Sequence, residues 1–178
     1  MTLKKLSYLS FILLCCLVLT IFLSSSMTYQ EQSLVSQLAS WWPEQPGYNY
    51  LAKIQFVYGG QPISIASSNY YAFIEFFIRK GAHFLLFGLI GALIFTWLTP
   101  YIRPLALNGF ISVWLVFGYA SFDELRQALN PGRSGLISDV ILDTSGAITF
   151  ILLSYVIIKL FVIKEDKQVK DPHKDDPK

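Results

Sequence analysis

Most of the side chains that could do chemistry are gathered in residues 121–146, between two long apolar segments. This stretch holds a pair of adjacent carboxylates, Asp123 and Glu124, and a second pair four residues apart, Asp139 and Asp143. Carboxylates can orient cations and can exchange protons with a substrate. An ionisable side chain at membrane depth costs roughly 2.5 kcal/mol or more. The stretch therefore either holds helices together or forms a site.

Basic and amide side chains complete this candidate site, and they come from three separated segments. Lys80 and His83 are three residues apart and share one face of a helix. Asp139 and Asp143 likewise share a face, and Gln127 follows the first carboxylate pair at helical spacing. We predict a polar site made of Lys80, His83, Asp123, Glu124, Gln127, Arg133, Asp139 and Asp143.

The composition indicates an integral membrane protein. Hydrophobic residues make up 53% of the 178-residue chain and charged residues 15%, whereas about a quarter of a soluble domain is charged. A net charge of +2 without a basic stripe argues against nucleic acid as a partner. Cys15 and Cys16 are adjacent in an apolar run, which suggests neither a disulfide framework nor a metal site.

Four apolar runs are long enough to cross a bilayer, which takes about 20 residues. The first, Leu6–Leu23, is longer than the 7–15-residue core of a cleaved signal peptide, so we favour a retained helix over a signal peptide. We therefore predict an all-α membrane protein. Its expected transmembrane helices span about 6–25, 82–99, 105–122 and 136–163.

The distribution of Lys and Arg sets the expected orientation. Nine of the 14 basic residues lie on the inner side if the N-terminus is inside, so we expect both termini in the cytoplasm of a cell-membrane protein. Residues 26–81 then form an extracytoplasmic loop. Arg79 and Lys80 are exceptions to this rule, which suggests that they are kept for a purpose. The charged tail 164–178 is expected to be cytoplasmic and disordered.

Local patterns predict further structure outside the spans. Residues 51–58 and 61–65 flank a Gly-Gly pair and could form a short hairpin. Residues 70–78 are aromatic and apolar with two charges, as in an interfacial amphipathic helix. Residues 130–132, Asn-Pro-Gly, are a strong turn signal.

Three alternatives compete for the polar residues. Pairing alone could hold the helices in register, through Arg133 with Asp139 or Asp143, or through Lys80 with Glu124. A metal site made of His83 and carboxylates is the second alternative, but no second His and no Cys lies near His83 in the sequence, so we expect no metal ion and no cofactor. A hydrolytic site based on His83 finds no nucleophile in a recognised motif.

The ordered set of polar motifs resembles the VanZ-like family of small bacterial integral membrane proteins. The similarity extends from about Leu6 to Ile163, and the family often has Asn at the position of Asp143. The motifs that carry it are Lys80-Gly-Ala-His83-Phe84, Asp123-Glu124-x-x-Gln127, Pro131-Gly132-Arg133 and Asp139-x-x-x-Asp143-x-x-Gly146.

The resemblance implies a role in the cell envelope, because the family's namesake is associated with low-level resistance to the glycopeptide teicoplanin. We expect an outward-facing site for a lipid or a lipid-linked cell-wall precursor, with Lys80 and Arg133 contacting phosphate. The expected partners are membrane lipids and such a precursor or a glycopeptide. The alternatives are an intramembrane enzyme using His83 and a carboxylate, and a non-catalytic scaffold or accessory subunit. The sequence does not indicate an oligomeric state.

Overall fold

Four long helices dominate the fold. The computed structural model describes residues 3–130 and 135–170, the last ten as backbone only. Each long helix contains a segment apolar enough to cross a membrane, so the prediction of an all-α membrane protein with four spans is confirmed. The elements run in the order α1 (Leu3–Ser24), α2 (Tyr29–Gln32), α3 (Val35–Trp41), α4 (Tyr48–Leu51), β1 (Phe56–Tyr58), β2 (Gln61–Ile63), α5 (Tyr70–Leu98), α6 (Leu105–Ala128) and α7 (Ile137–Lys170).

The four long helices alternate in direction. Near the start of α1, Ser7 donates to the carbonyl of Trp97 at the end of α5, at 2.7 Å. Just past the end of α1, Ser25 donates to Asp123 near the end of α6, at 2.9 Å. One end of the bundle, which we call the polar end, therefore holds the ends of α1 and α6 and the starts of α5 and α7.

Helices α5 and α7 run parallel and make the most extensive helix contact in the described chain. Small residues allow this close approach. A Cβ added at Gly146 would overlap the carbonyl oxygen of Phe84, and one at Gly91 would lie 3.0 Å from the Cα of Ala147. A Cβ at Gly88 would meet the ring of Phe150 at 2.7 Å. These contacts fix the register that brings the polar faces of α5 and α7 together.

Short elements fill the connection between α1 and α5. The predicted hairpin is present as β1 and β2, with Phe56 paired to Ile63. Its two-residue turn is Gly59-Gly60, with φ of 56° and 78°. Both values lie in the left-handed region that a type I′ turn requires, which explains the glycine pair.

The helix boundaries differ from the sequence prediction at three places. Residues 70–78, predicted as an amphipathic helix leading into the second span, are the first turns of α5, so α5 starts twelve residues before the predicted span. Asn69 caps it by accepting from the Ala72 amide at 2.8 Å. Asp123 and Glu124 lie in the last turns of α6 and not in a loop. Helix α7 continues to Lys170, so residues 164–170 of the expected disordered tail are helical.

Candidate functional site

The predicted polar residues on α5 and α7 meet at the polar end. Lys80 Nζ lies 2.5 Å from Asp139 Oδ1, and His83 Nδ1 lies 3.4 Å from Asp143 Oδ2. Both pairs follow from the parallel helices, because each helix advances by about one turn between the two contacts. Lys80 therefore pairs with Asp139. The sequence had suggested Glu124 as its partner in the alternative where ion pairs only hold the helices in register.

The hairpin joins the Lys80–Asp139 pair through Tyr58. The Tyr58 hydroxyl donates to Asp139 Oδ1 at 2.6 Å, and Lys80 Nζ lies 5.1 Å from the centre of the Tyr58 ring. Burial, followed by the hydrogen bond and charge of Asp139, raises the pKa of the Tyr58 phenol. The phenol therefore stays protonated and remains a hydrogen-bond donor at neutral pH. Tyr58 ties the loop to α7 at the entrance of the site.

A deeper group lies one helical turn further along α5 and α7. His83, Glu124 and Asp143 each offer a ligand atom, and these atoms lie within 4.8 Å of one another. Asp143 is fully buried, and its Oδ1 has no hydrogen-bond partner among the described residues. Glu124 accepts from Gln127 Nε2 at 3.2 Å and from the Leu136 amide at 2.9 Å. Among the described residues, these three form a group that could hold a metal ion, although the sequence led us to expect none.

Asp123 belongs to a neighbouring contact between α1 and α6. Its Oδ2 accepts from Ser25 and from Gln127, both at 2.9 Å. Gln127 also donates to Glu124, so one amide connects this contact with the deeper group. Asp123 therefore holds the ends of α1 and α6 together, and Gln127 links it to Glu124.

Glu75 docks the chain after α1 onto the start of α5. Its carboxylate is buried and accepts from the Leu34 amide at 3.0 Å and from the hydroxyls of Tyr29 and Ser33, both at 3.3 Å. Arg79 Nη1 lies 3.8 Å from Glu75 Oε1, which is an ion pair without a hydrogen bond. Sequence reasoning did not include Glu75 in the site. The i, i+4 spacing of Glu75, Arg79 and His83 is the signal that could have revealed it.

A cavity of about 370 Å³ opens beside these residues. Arg79 and Lys80 of α5 line this cavity, together with Asp139 and Gln127. Arg79 Nη1 is buried and has no hydrogen-bond partner among the described residues. The remaining lining residues come from the chain after α1, the hairpin and its following turn, the first turns of α5, and the residue before α7: Tyr29, Tyr58, Gln61, Pro62, Ile63, Ser67, Ser68, Ala72, Phe73, Glu75, Phe76 and Leu136.

The polar side chains follow α5 along its axis and do not all lie at one level of the bundle. We call this set of side chains the polar column. Glu75 and His83 are eight residues apart, which is about 12 Å along a helix. The column receives Asp139 and Asp143 from α7 and Glu124 from α6. Arg133 and the predicted turn at 131–132 lie outside the described residues. Whether this column is a functional site stays a prediction.

The comparisons with known proteins identify the family. The VanZ/LLP1 family model matches residues 10–159, which include the second and third apolar segments, most of the first and last, and the polar column. Neither a curated protein nor a solved structure matches the chain. The match covers most of the chain and agrees with the resemblance of its polar motifs. The chain therefore belongs to the VanZ/LLP1 family.

Proposed function

We propose that this protein binds the anionic headgroup of an envelope lipid, or of a lipid-linked precursor, in the cavity at its polar end. The observation that carries the proposal is Arg79, which lines the cavity and whose Nη1 is buried with no hydrogen-bond partner among the described residues. A buried donor without a partner costs about 1–3 kcal/mol, and more when it is charged. An anionic oxygen in the cavity would supply the acceptor that Arg79 lacks.

The second cation supports the same ligand chemistry. Lys80 follows Arg79 and also lines the cavity, so two positive charges face one space. A guanidinium can grip a phosphate with two parallel hydrogen bonds, whereas an ammonium acts as a point charge. Asp139 holds Lys80 in place when no ligand is present, since the two are 2.5 Å apart. The sequence assigned the phosphate contacts to Lys80 and Arg133, and Arg79 now joins Lys80 in that role.

The surroundings of the cavity suit a ligand with acyl chains. Leu136 lines the cavity, and the adjacent Ile137 is 80% exposed at the start of α7. On α5, Phe76 lines the cavity and its neighbour Phe77 is 44% exposed. Large exposed apolar side chains on spanning helices face lipid. A headgroup could therefore enter the cavity while its chains remain in the bilayer.

Retention of anionic lipid tests this proposal. Native mass spectrometry of protein extracted from phosphatidylglycerol-containing membranes should show bound phosphatidylglycerol in preference to phosphatidylcholine. Arg79→Gln should lower its occupancy about tenfold, because a hydrogen bond to a charged group contributes roughly 1.5–3 kcal/mol. Arg126→Gln is the matched control. Arg126 lies at the same end and stacks on Phe22 at 3.7 Å, but it does not line the cavity.

Two outcomes would contradict headgroup binding. Equal retention by wild type and Arg79→Gln would show that Arg79 does not hold the lipid. Equal loss in Arg79→Gln and Arg126→Gln would reflect net charge at the polar end and not a site in the cavity.

An enzymatic role is the second candidate, and the His83–Asp143 pair favours it. A carboxylate that orients an imidazole is the arrangement of a general base. Loss of lipid turnover in His83→Ala, with lipid retention unchanged, would favour the enzyme. If neither turnover nor retention is found while the polar column is still required in cells, the scaffold alternative would remain.

We further propose that the polar end faces outward and that both termini are cytoplasmic. The alternating helices place the α5–α6 connection, which carries Arg103, at the opposite end from the loop that contains Gln45. Single cysteines at these two positions, in a chain with Cys15 and Cys16 replaced by serine, should react differently with an impermeant reagent. Gln45→Cys should be labelled in intact cells and Arg103→Cys only after lysis. The reverse pattern would overturn this orientation.

A further inference from the structure

We propose that His83, Glu124 and Asp143 bind a divalent transition-metal ion such as Zn²⁺ or Mn²⁺. The three residues come from α5, α6 and α7, and their ligand atoms lie within 4.8 Å of one another. One imidazole and two carboxylates form a donor set that suits divalent first-row transition metals such as these two. This site does not depend on the proposed headgroup binding, because none of its ligands is one of the cations that line the cavity.

The spacing between His83 and Asp143 also fits two ligands of one metal ion. Nδ1 and Oδ2 are 3.4 Å apart, whereas N–H···O hydrogen bonds usually measure about 2.9–3.0 Å. Two ligand atoms that each lie about 2.1 Å from a tetrahedral ion are about 3.4 Å apart. The spacing of these two atoms is therefore already that of ligands on one ion.

Asp143 provides an independent sign of a missing partner. It is fully buried on a spanning helix, yet Oδ1 has no hydrogen-bond partner among the described residues. A buried carboxylate oxygen without a partner is costly. A cation held between Asp143 and Glu124 would supply that partner and balance two carboxylates that are 0% and 4% exposed.

Neighbouring contacts would hold two of the ligands in position. The Glu124 carboxylate accepts from Gln127 and from the Leu136 amide, which leaves lone pairs for an ion. The imidazole of His83 stacks on Phe87, with ring centres 6.0 Å apart. Such outer contacts orient metal ligands and commonly change metal affinity 10–100-fold when removed. Glu124 would need to shift by roughly 1 Å or more to complete the coordination.

Metal binding can be measured directly with Zn²⁺ and Mn²⁺ as probes. Purified protein in a detergent without anionic lipid would be stripped with a chelator and then titrated, with Zn²⁺ followed by calorimetry and Mn²⁺ by electron paramagnetic resonance. Wild type should bind one ion per chain. His83→Gln and Asp143→Asn should each weaken binding at least tenfold. Glu75→Gln is the matched control, since Glu75 is a buried carboxylate on α5 that lies outside the group of three.

The variants separate loss of the site from loss of the fold. Asp143 is fully buried, so gel filtration and circular dichroism must show that Asp143→Asn is folded. His83 is 28% exposed and is the safer substitution, so it decides the outcome if Asp143→Asn does not fold. No binding by wild type, or unchanged binding by His83→Gln, would overturn the proposal. Binding of Mg²⁺ in place of Zn²⁺ and Mn²⁺ would overturn the assigned class of ion. A negative result for metal binding would not contradict the proposal that Arg79 holds a lipid headgroup.

Discussion

Replacing Gly146 by alanine should lower the melting temperature, whereas the same change at Gly118 should not. The new Cβ at position 146 would overlap the carbonyl oxygen of Phe84, and it would lie 3.0 Å and 3.2 Å from two further backbone atoms of that residue. Backbone cannot move aside as a flexible side chain can, so the two helices must separate. Overpacking costs about 1–3 kcal/mol and occasionally more, and a contact against backbone should fall at the upper end.

Gly118 provides the matched control for this change. It also lies within a spanning helix, but a Cβ there would meet nothing within 4 Å. Glycine to alanine in a helix is itself favourable by roughly 0.5–1 kcal/mol. Thermal unfolding in one detergent should therefore show a loss of about 4–10 °C for Gly146→Ala and no loss for Gly118→Ala. Equal melting temperatures would mean that α5 and α7 are not packed as closely as the structure shows.

The same substitution should also disturb the polar column, since the close contact fixes the spacing of the facing side chains. Gly146 is three residues from Asp143, and Phe84 directly follows His83. Separation of the helices at this point would lengthen the His83–Asp143 contact beyond its present 3.4 Å. Zn²⁺ binding should weaken in Gly146→Ala and stay unchanged in Gly118→Ala. Unchanged binding in both variants would show that the column tolerates a wider helix spacing.

The number of spans and the hairpin could be predicted because each has a local signal. Apolar runs of membrane length mark the spans, and Gly59-Gly60 between two β-prone stretches marks the type I′ turn. A helix over residues 70–78, the start of α5, was also predicted, but the burial of Glu75 within it could not be predicted in this way. Its first turns carry Glu75 and Arg79, which hydropathy assigns to an interface. The burial of Glu75 depends on Tyr29, Ser33 and Leu34, which are distant in sequence.

The sequence predicted that the polar residues of separate segments lie at one end of the bundle, but it did not predict which residues form ion pairs with each other. Placing the spans was enough to bring Lys80, His83, Asp139 and Asp143 to one end. The pairing depends on helix register, which Gly146 and Phe84 set through a backbone contact that no spacing rule reveals. Lys80 therefore pairs with Asp139, where the sequence had suggested Glu124.

The expectation that no metal ion binds weighed His83 and the carboxylates as ligands, but it could not tell which carboxylates reach the imidazole. It looked for a second His or a Cys close to His83 in sequence, whereas the third helix supplies Glu124 instead. Ligands contributed by three helices have no fixed spacing, so a linear motif cannot report them. Tyr58 was missed because its role comes from the hairpin folding back onto α7.

Removing either member of the Lys80–Asp139 pair should destabilise the protein, and removing both should restore most of the stability. Lys80→Met leaves Asp139 with Tyr58 as its remaining partner in the described structure, and Asp139→Asn leaves Lys80 beside two aromatic rings. Breaking a buried pair costs roughly 3–5 kcal/mol. The Lys80 side chain is 24% exposed, so the lower end of that range is expected.

The double variant, Lys80→Met with Asp139→Asn, distinguishes a structural pair from a ligand site. If the pair only holds α5 to α7, the double variant should recover the melting temperature, the membrane abundance and the retention of phosphatidylglycerol. If Lys80 also contacts a headgroup, stability should return while retention stays low, because the cation is still missing from the cavity. Lys159→Met is the control for removing a membrane cation, since Lys159 lies about 30 Å further along α7 than Asp139.

Stability and retention together decide between the two roles. Recovery of both in the double variant would remove Lys80 from the headgroup site and leave Arg79 as its only tested cation. Recovery of stability without retention would support Lys80 as a ligand contact that Asp139 holds ready. Single variants as stable as wild type would show that water hydrates the ion pair. An exposed ion pair contributes only about 0–1 kcal/mol to the free energy of unfolding. In that case the loss of retention in Lys80→Met alone, with Lys159→Met unchanged, would still assign the cation to the lipid.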